Sequence, residues 1–469
     1  MSQASTKKLP LTEGPLFWRI ILFALPIMAT GVLQILYNMA DNIVVGQFSG
    51  NPNALGSVGS TSSLTNLIVN LLLGIAAGTS VVVAQAFGAK QDKVVSRAIH
   101  TALIFSLVGG LIFMGIGLGV SRPALELMKT RPELLDGAVL YFRIICLGIP
   151  ATAVYNFGAA ILRSVGDSKT PLIILSSTGL INVGLNFFFI LVCDMSVDGV
   201  AIATIVSQYL SAISVVTVLW LQRNKSYGFS FKKLCFDFAL LKRILRFGIP
   251  SGIQSSLFSI SNIILTSGIN SLGDHVIKAY TISNNIDAIT YTSCNSFHHA
   301  ALTFTGQNFG AKKYDRIKRV MIYSLAQVVF FGIAIAQLEL LFCNELASLY
   351  IDANDVYKEE IMGYARDMMK VLLNTYFLCG IMDVFSGILK GLGYSLAPMI
   401  MSLSGICALR IFWVFVVFPL EKFNTHTGLC LSYPLSWTVT ALMFLVTLVI
   451  VWHKIKRRDK LEESMKISE

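Results

Sequence analysis

Asp41 is the first residue whose type and position suggest chemistry. It is the only charged side chain in residues 20–89, a stretch built mainly of apolar and small residues. A carboxylate at the centre of a bilayer costs about 2.5–3.5 kcal/mol on insertion scales, so such residues usually face a cavity and serve transport. Asp41 is therefore a candidate to exchange a proton or to bind a cation. The alternative is a position at the outer water interface, since 22 residues of helix beyond Arg19 span about 33 Å.

Three polar residues farther along can be placed at a depth that matches Asp41. Asn182 and Asn186 share a helix face because they are four residues apart. Counted from Pro171, they lie roughly 16 and 22 Å into a helix. Thr204, which enters from the opposite side, comes to about 20 Å on the same scale. Carboxylate, amide and hydroxyl oxygens together suit a proton or Na⁺. Interhelical amide hydrogen bonds without an ion are the alternative.

The second half of the chain has its own charges in apolar surroundings, namely Asp287, Asp383 and Arg410. A buried charge needs a partner, so an ion pair between Arg410 and one aspartate is one interpretation. In the other, one carboxylate stays unpaired and attracts a cationic drug or a coupling ion. Further candidates for a substrate cavity are polar or aromatic: Gln34, Tyr37, Gln254, Asn284, Asn285, Phe157 and Tyr376.

Two prolines, Pro26 and Pro250, fall inside apolar runs that read as helices. A proline in a helix interior removes one backbone hydrogen bond and favours a kink. Each proline is therefore a candidate bend, either static or part of a movement.

The whole chain has the composition of a polytopic membrane protein. Of its 469 residues, 54% are hydrophobic and only 13% are charged, and the mean hydropathy is +0.68. An average globular chain has about twice that charged fraction. Eight scattered cysteines give neither a disulfide framework nor a metal ligand set. The sequence contains no P-loop and no nucleophile–base constellation, so we expect neither an ATP-driven pump nor an enzyme.

Twelve runs are candidates to cross a bilayer, which takes about 20 apolar residues each. They start near residues 17, 56, 97, 137, 171, 197, 246, 279, 319, 364, 397 and 429, and the run at 279 is rich in Ser, Thr and Asn. When loops are assigned alternately to the two sides, 27 of the 37 Lys and Arg fall on the side of both termini. The positive-inside rule then predicts cytoplasmic termini. This topology accounts for the net charge of +11 without nucleic acid.

The chain repeats itself at its midpoint with offsets of 224, 222 and 227 residues. The repeated segments are Phe23–Pro26 with Phe247–Pro250, Ala84–Lys90 with Gly306–Lys312, and Ile161–Gly166 with Ile388–Gly393. Each half holds six predicted spans, so the two halves have the same orientation. Parallel repeats of this kind recur in transporters that bind substrate between their halves. A duplicated bundle that moves nothing is the alternative.

Several motifs together resemble the multidrug and toxic compound extrusion (MATE) transporters. They are Asp41–Gln47, Gln85–Lys90, Leu162–Asp167, Gly199–Thr204, Gln307–Lys312 and Gly405–Trp413, the last being similar to a bacterial branch. The resemblance extends over residues 11–455. It implies that Asp41, Asn182, Asn186 and Thr204 match the cation site of the N-terminal lobe, although the position of Asn186 is Asp in some members. It also suggests that Pro26 bends as the proton site titrates.

The resemblance implies an all-α fold of twelve transmembrane helices in two six-helix bundles. The predicted boundaries are 1–15 for a cytoplasmic tail, 16–222 and 244–453 for the bundles, 223–243 for a cytoplasmic linker and 454–469 for a second tail. We expect a monomer in the bacterial cytoplasmic membrane, in contact with lipid and without a cofactor other than a coupling ion.

The function expected from these features is antiport. The chain would export cationic amphipathic compounds in exchange for H⁺ or Na⁺ by alternating access, with Asp41 protonated from outside. An exporter of a lipid-linked saccharide or other anionic amphiphile is the second hypothesis, which expects a cavity lined by Arg and Lys. A channel is disfavoured by the two-bundle repeat, and an enzyme by the missing catalytic set.

Overall fold

The computed structural model describes residues 11–48, 54–351 and 355–468. Residues 1–10 of the predicted N-terminal tail and the last residue of the C-terminal tail lie outside these ranges. The described chain is almost entirely helical and contains no strand. It divides into two compact units, residues 1–256 with 303–318 and residues 257–302 with 319–469.

The helices of the first half follow one another with short connections. They are α1 (Leu16–Phe48), α2 (Ala54–Gly88), α3 (Asp92–Leu127), α4 (Pro132–Leu147), α5 (Ile149–Ser164), α6 (Lys169–Phe187) and α7 (Val197–Leu221). A π-helical turn, Phe188–Val192, extends α6, and a 3₁₀ turn, Phe231–Lys233, precedes the second half. Helices α4 and α5 form one bent span with an angle of 46°.

The second half repeats this order with more interruptions. Its helices are α8 (Phe238–Asn270), α9 (Asp274–Gly310), α10 (Tyr314–Leu341), α11 (Cys343–Ser348), α12 (Lys358–Gly391), α13 (Leu396–Ser402), α14 (Leu409–Phe412), α15 (His426–Cys430) and α16 (Ser432–Ser468). Two π-helical turns, Leu403–Ala408 and Trp413–Val417, flank the single turn α14. Pro26 and Pro250 each lie within a continuous helix, α1 and α8.

Nine helices in the described residues are long and apolar enough to cross a membrane, or ten when the bent pair α4–α5 counts as one span. Helices α8 and α9 are long enough but are not among them. Helix α8 begins with a basic turn, and α9 is the run whose Ser, Thr and Asn content stood out in the sequence. The polytopic character predicted from composition and the all-α fold implied by the resemblance are thus confirmed.

The first unit is held together around α5, which packs against α2, α3 and α7, while α1 packs against α6. Its apolar core includes Val82, Ile99, Phe157 and Leu162, all with no exposed surface. Phe157, named above as a candidate for the substrate cavity, is therefore part of the core.

The two repeated glutamine motifs meet inside the first unit. A Cβ on Gly88 would lie 1.9 Å from the backbone oxygen of Gln307, and one on Gly310 would lie 1.9 Å from that of Gln85. Only glycine allows so close a backbone approach. The lysine that ends each motif has a φ of 56°, which ends α2 and α9 in the left-handed conformation typical of helix C-termini. The repeat therefore marks a reciprocal contact.

Part of the predicted linker 223–243 is bound to α3 by polar contacts. The His100 ring is fully buried, and its Nε2 lies 3.1 Å from both the backbone nitrogen and the backbone oxygen of Ser230. The Asp237 backbone donates to Thr101 Oγ1 at 3.0 Å, and the Asp237 carboxylate pairs with Arg97 at 3.0 Å. The same carboxylate accepts from two backbone N–H groups in the first turn of α8.

We expect Asp237→Ala to lower the free energy of unfolding by about 1 kcal/mol, because an N-cap acceptor is lost. Asp237→Asn should lose less, since asparagine caps helices well and an ion pair with an exposed arginine contributes little. Thermal unfolding of the detergent-purified protein, followed by size-exclusion chromatography, measures both. Equal losses would assign the stabilisation to the ion pair with Arg97 instead of the cap.

Candidate functional site

Asp41 on α1 faces Asn186 on α6. The Asn186 Nδ2 group donates a hydrogen bond of 2.5 Å to Asp41 Oδ1. Asn186 is fully buried, and its own Oδ1 has no hydrogen-bond donor within the described residues. The structure therefore brings together two of the four residues predicted for ion coupling, and it leaves an acceptor oxygen beside the carboxylate.

Tyr37 and Gly179 position this pair. Tyr37 lies one helical turn before Asp41, and its hydroxyl donates to the backbone oxygen of Ser176 at 3.1 Å. The ring crosses α6 at Gly179, where a Cβ would lie only 2.0 Å from Tyr37 Cε2. The missing side chain lets α1 approach α6, and this contact sets the level at which Asp41 meets Asn186.

Among the described residues, Asn182 and Thr204 form no hydrogen bond with Asp41. Asn182 is buried one turn before Asn186, and no described residue forms a hydrogen bond with its side chain. The Thr204 hydroxyl donates to the backbone oxygen of Val200 at 2.9 Å, within its own helix. The depth calculated from helix rise therefore correctly paired Asp41 with Asn186. The Asn182 side chain remains available, whereas the Thr204 hydroxyl is bonded within its own helix.

One residue near Asp41 was missed in the sequence. Tyr141 on α4 is close enough to interact electrostatically with the carboxylate. It also packs against a buried apolar cluster that includes Val44, Ile190 and Val200. The sequence of α4 contains no other residue that suggested a function. Only the packing of α4 against the rest of the first unit shows that Tyr141 is a neighbour of Asp41.

Arg410 is the largest fully buried side chain among the described residues, with 2% of its surface exposed. Its Nε donates to Ser436 Oγ at 3.2 Å, and its Nη1 donates to Ser261 Oγ at 3.3 Å and to Asn262 Oδ1 at 3.0 Å. The guanidinium carbon lies 4.3 Å from the centre of the Tyr433 ring. Three neutral oxygens and one aromatic face surround the cation.

No ion pair joins Arg410 to Asp287 or Asp383 in the described part of the chain. The interpretation of Arg410 as half of a buried salt bridge is therefore wrong. Both aspartates are buried, on α9 and α12. Arg410 instead donates its hydrogen bonds to serine and asparagine oxygens on α8 and α16.

Asp287 lies near a second acid that the sequence analysis overlooked. Glu339 on α10 is 5% exposed, and its Oε2 accepts from the Thr290 hydroxyl at 2.8 Å. The other carboxylate oxygen, Oε1, has no donor within the described residues. Glu339 stands among leucines near the end of a span, and that isolated charge was the signal that could have found it.

Asp383 belongs to a separate group on α12. Its carboxylate accepts from Asn295 Nδ2 at 3.2 Å, and its backbone oxygen lies 2.8 Å from His298 Nδ1. Lys390, two turns farther on, is 6% exposed and forms no ion pair with it in the described part. The second half therefore holds its acids in two groups.

The other predicted cavity residues are dispersed. Gln34 is exposed on α1 and Gln254 is buried on α8. Asn284 on α9 is half-buried and forms a side-chain hydrogen bond with Tyr280, and Asn285 is exposed. Within the described ranges, no group of three or more His, Cys, Asp or Glu side chains is arranged to hold a metal ion.

Apolar spans in two repeated halves, with charged groups buried inside each, define a polytopic membrane protein of the kind that moves solutes. The MatE family profile matches residues 26–188 and again residues 250–416, so the two matches begin at Pro26 and Pro250. The chain therefore belongs to the MatE family. Members of this family are transporters and not enzymes, so the chain is a membrane transporter.

Curated bacterial relatives cover nearly the whole chain. The probable multidrug resistance protein YoeA of Bacillus subtilis is 27% identical over 450 residues, 94% of this chain and 95% of its own length. The probable multidrug resistance protein NorM of Thermotoga maritima is 25% identical, over 93% of this chain and 94% of its own. A crystal structure of MATE in complex with MaL6 shares the fold with a TM-score of 0.89 at 21% identity, covering 97% of this chain and all of that one.

We expect Gly179→Ala to reduce transport at least tenfold, because the added methyl group displaces Tyr37 and separates Asp41 from Asn186. Gly184→Ala is the matched control on α6, since nothing lies within 4 Å of its Cβ position. Alanine favours a helix over glycine by about 1 kcal/mol, so the control should be at least as stable as the wild type. Dye efflux from cells that produce equal amounts of each variant tests this; equal loss in both variants would contradict the role of the Tyr37 contact.

Proposed function

We propose that the chain is a secondary active antiporter that exports cationic amphipathic drugs in exchange for H⁺ or Na⁺. Membership of the MatE family supports transport, and the printed names of the curated relatives support multidrug export. The contact between Asp41 and Asn186 is the observation that carries the coupling mechanism.

Asp41 suits coupling because its only hydrogen-bond donor in the described part is a neutral amide. A structural carboxylate at this depth would pair with a basic side chain, since an isolated buried charge is costly. Asp41 has no such pair in the described part, so its charge is available to a mobile cation.

The side-chain amide of Asn186 can form a hydrogen bond with Asp41 in either protonation state of the carboxyl group. In the present arrangement Nδ2 donates to an ionised carboxylate. After protonation, rotation of the amide by half a turn would present Oδ1 as the acceptor for the new O–H group. The same oxygen, which has no donor among the described residues, would serve as a ligand for Na⁺ together with Asp41. Asn182 and Thr204 would add amide and hydroxyl oxygens to that site.

Coupling requires that the ion bind one conformation better than the other. Protonation of Asp41 from outside removes the charge from the first unit and so shifts the balance between outward-open and inward-open states. Pro26 lies in the same helix as Asp41, and we expect that shift to be transmitted by bending of the helix at this proline. Pro250 occupies the matching position in α8.

The buried acids of the second half are the proposed attraction for a cationic substrate. Asp287 and Glu339 lie near each other, and neither forms an ion pair with a lysine or arginine in the described residues. The buried rings of Tyr376, Tyr433 and Trp437 lie close by, and aromatic rings attract cations.

We place the protein in the bacterial cytoplasmic membrane as a monomer, with both termini in the cytoplasm. The excess of Lys and Arg in the loops on that side supports the orientation. The proposal involves lipid and a small cationic substrate as partners, no nucleic acid, and no cofactor other than the coupling ion.

An exporter of an anionic amphiphile such as a lipid-linked saccharide is the second candidate. Arg410 favours it, because this buried cation has no carboxylate partner in the described part. The acids Asp287, Glu339 and Asp383 favour the first candidate.

Reconstitution into proteoliposomes with an ethidium-type dye tests the proposed function. A proton gradient and a sodium gradient are imposed separately on the wild type and on Asp41→Asn. We expect one gradient to drive the dye, and we expect the variant to lose at least nine-tenths of that movement, because asparagine cannot carry the exchanging charge.

Asp194→Asn is the matched control. Asp194 is exposed in the same half, and asparagine tolerates its φ of 51°. Normal coupled transport by Asp41→Asn would contradict the assignment. Folded wild-type protein that moves no dye under either gradient would make the anionic amphiphile the leading candidate.

A further inference from the structure

A short segment before α1 is bound by a cation from the second half of the sequence. We call this segment, residues 11–14, the N-terminal strap. Arg316, in the first turn of α10, donates from Nη2 to the backbone oxygens of Glu13 and Gly14, both at 2.8 Å. Gly14 has a φ of 73°, a conformation that favours glycine. The shape of the strap at this contact therefore depends on that glycine.

A second cation binds the remainder of the strap. Lys313, three residues before Arg316, donates from Nζ to the backbone oxygen of Thr12 at 3.0 Å, and Arg316 Nη2 also lies 3.4 Å from that of Leu11. Four consecutive carbonyl groups therefore accept hydrogen bonds from only two side chains. Backbone oxygens outside a helix need such partners or water. A hydrogen bond from a cation is stronger than one between neutral groups.

The other side of the strap contacts the first half of the sequence. Leu11 and Thr12 are 9% and 7% exposed, so this part of the strap is buried. The Leu11 side chain packs on Gly166, in the turn between α5 and α6, where a Cβ would lie 3.4 Å from Leu11 Cγ. The strap leads into α1, which packs against α6. It therefore connects first-half helices with the α9–α10 turn, and all of these residues belong to the first unit.

The end of α9, which precedes this turn, carries the second glutamine motif, Gly306–Lys312, and joins the first half by two further contacts. Gln307 Nε2 donates to the backbone oxygen of Ser164 at 2.6 Å. Gly310 meets Gln85 at the close backbone approach described above. The strap is thus one of three contacts between the end of α9 and first-half elements. All three lie at helix ends that we place on the cytoplasmic side.

We propose that the N-terminal strap is a latch that holds the cytoplasmic side of the transporter closed. Alternating access requires the end of α9 to move away from the first half when that side opens. Lys313 and Arg316 move with α9, whereas the strap stays with α1 and loses its hydrogen bonds to them. Water at the cytoplasmic surface replaces the lost donors, so the latch opens and closes in every cycle. This inference rests on the proposed transport by alternating access.

Hydrogen exchange followed by mass spectrometry tests the latch in the full-length protein in phosphatidylcholine nanodiscs. Arg316→Gln removes the cation and shortens the side chain. We expect at least fivefold faster exchange in peptides that contain residues 11–19 and in those that contain the ends of α2 and α9. The reason is that the strap and the contact between the glutamine motifs then open together and more often. Faster exchange in the strap alone would overturn the proposal, because the strap would then be a docked segment without control over closure.

Arg319→Gln is the matched control and should exchange like the wild type. Arg319 is exposed on the next turn of α10, and no hydrogen bond joins it to the strap in the described part of the chain.

Gly14→Ala disturbs the strap without altering either cation. A side chain at a φ of 73° is strained, and a Cβ there would lie 3.0 Å from the Arg19 guanidinium carbon. This variant should raise exchange in the same three regions, so it tests the latch even if Arg316→Gln does not fold. Wild-type exchange in folded Gly14→Ala or folded Arg316→Gln would contradict the latch.

Transport distinguishes this inference from the proposed function on which it rests. Apparent affinity is reduced when only a fraction of the protein is competent to bind, so a larger cytoplasm-open population binds dye from the cytoplasm more tightly. In inside-out vesicles, Arg316→Gln should therefore lower the KM for ethidium at least threefold. An unchanged or higher KM with normal transport would overturn the latch and leave the proposed antiport intact. A wild type that moves no dye would contradict the proposed export, and hydrogen exchange would still decide the latch.

Discussion

The structure depends on one constraint: a charged side chain within a lipid bilayer must be solvated by the protein itself. Water cannot supply the missing hydrogen bonds in the hydrocarbon region. In the described residues, three charged groups on the spanning helices have neutral hydrogen-bond partners and no salt bridge. Asp41 receives an amide N–H from Asn186, Glu339 receives the hydroxyl of Thr290, and Arg410 is surrounded by serine and asparagine oxygens.

Neutral partners have a consequence that ion pairs do not. They stabilise a charge without cancelling it, so the charge remains available to a ligand or an ion. A buried salt bridge would hold the same helices together but would resist exchange, because breaking it leaves an uncompensated buried charge. A transporter must release what it binds, and weak neutral contacts around single charges suit that requirement.

Close helix packing makes these contacts possible. The Tyr37 ring can cross α6 only because position 179 lacks a side chain, and the two glutamine motifs meet backbone to backbone only at Gly88 and Gly310. Small residues at helix interfaces are typical of membrane proteins, where van der Waals contact takes over from the hydrophobic effect as the main source of association. Glycine placement therefore decides which polar groups meet.

The sequence by itself determined the class of protein and the repeat, and it predicted that Asp41 and Asn186 lie at one level. Hydropathy and helix rise depend on distances along the chain, and such distances are enough to match Asp41 with Asn186. Only the tertiary structure decided the partners. The structure places Tyr141 near Asp41 and Glu339 near Asp287. It bonds Arg410 to neutral oxygens instead of an aspartate. These partners depend on the rotation and lateral packing of the helices. A count of residues along the chain does not reveal rotation or lateral packing, because contacts between helices far apart in sequence determine both.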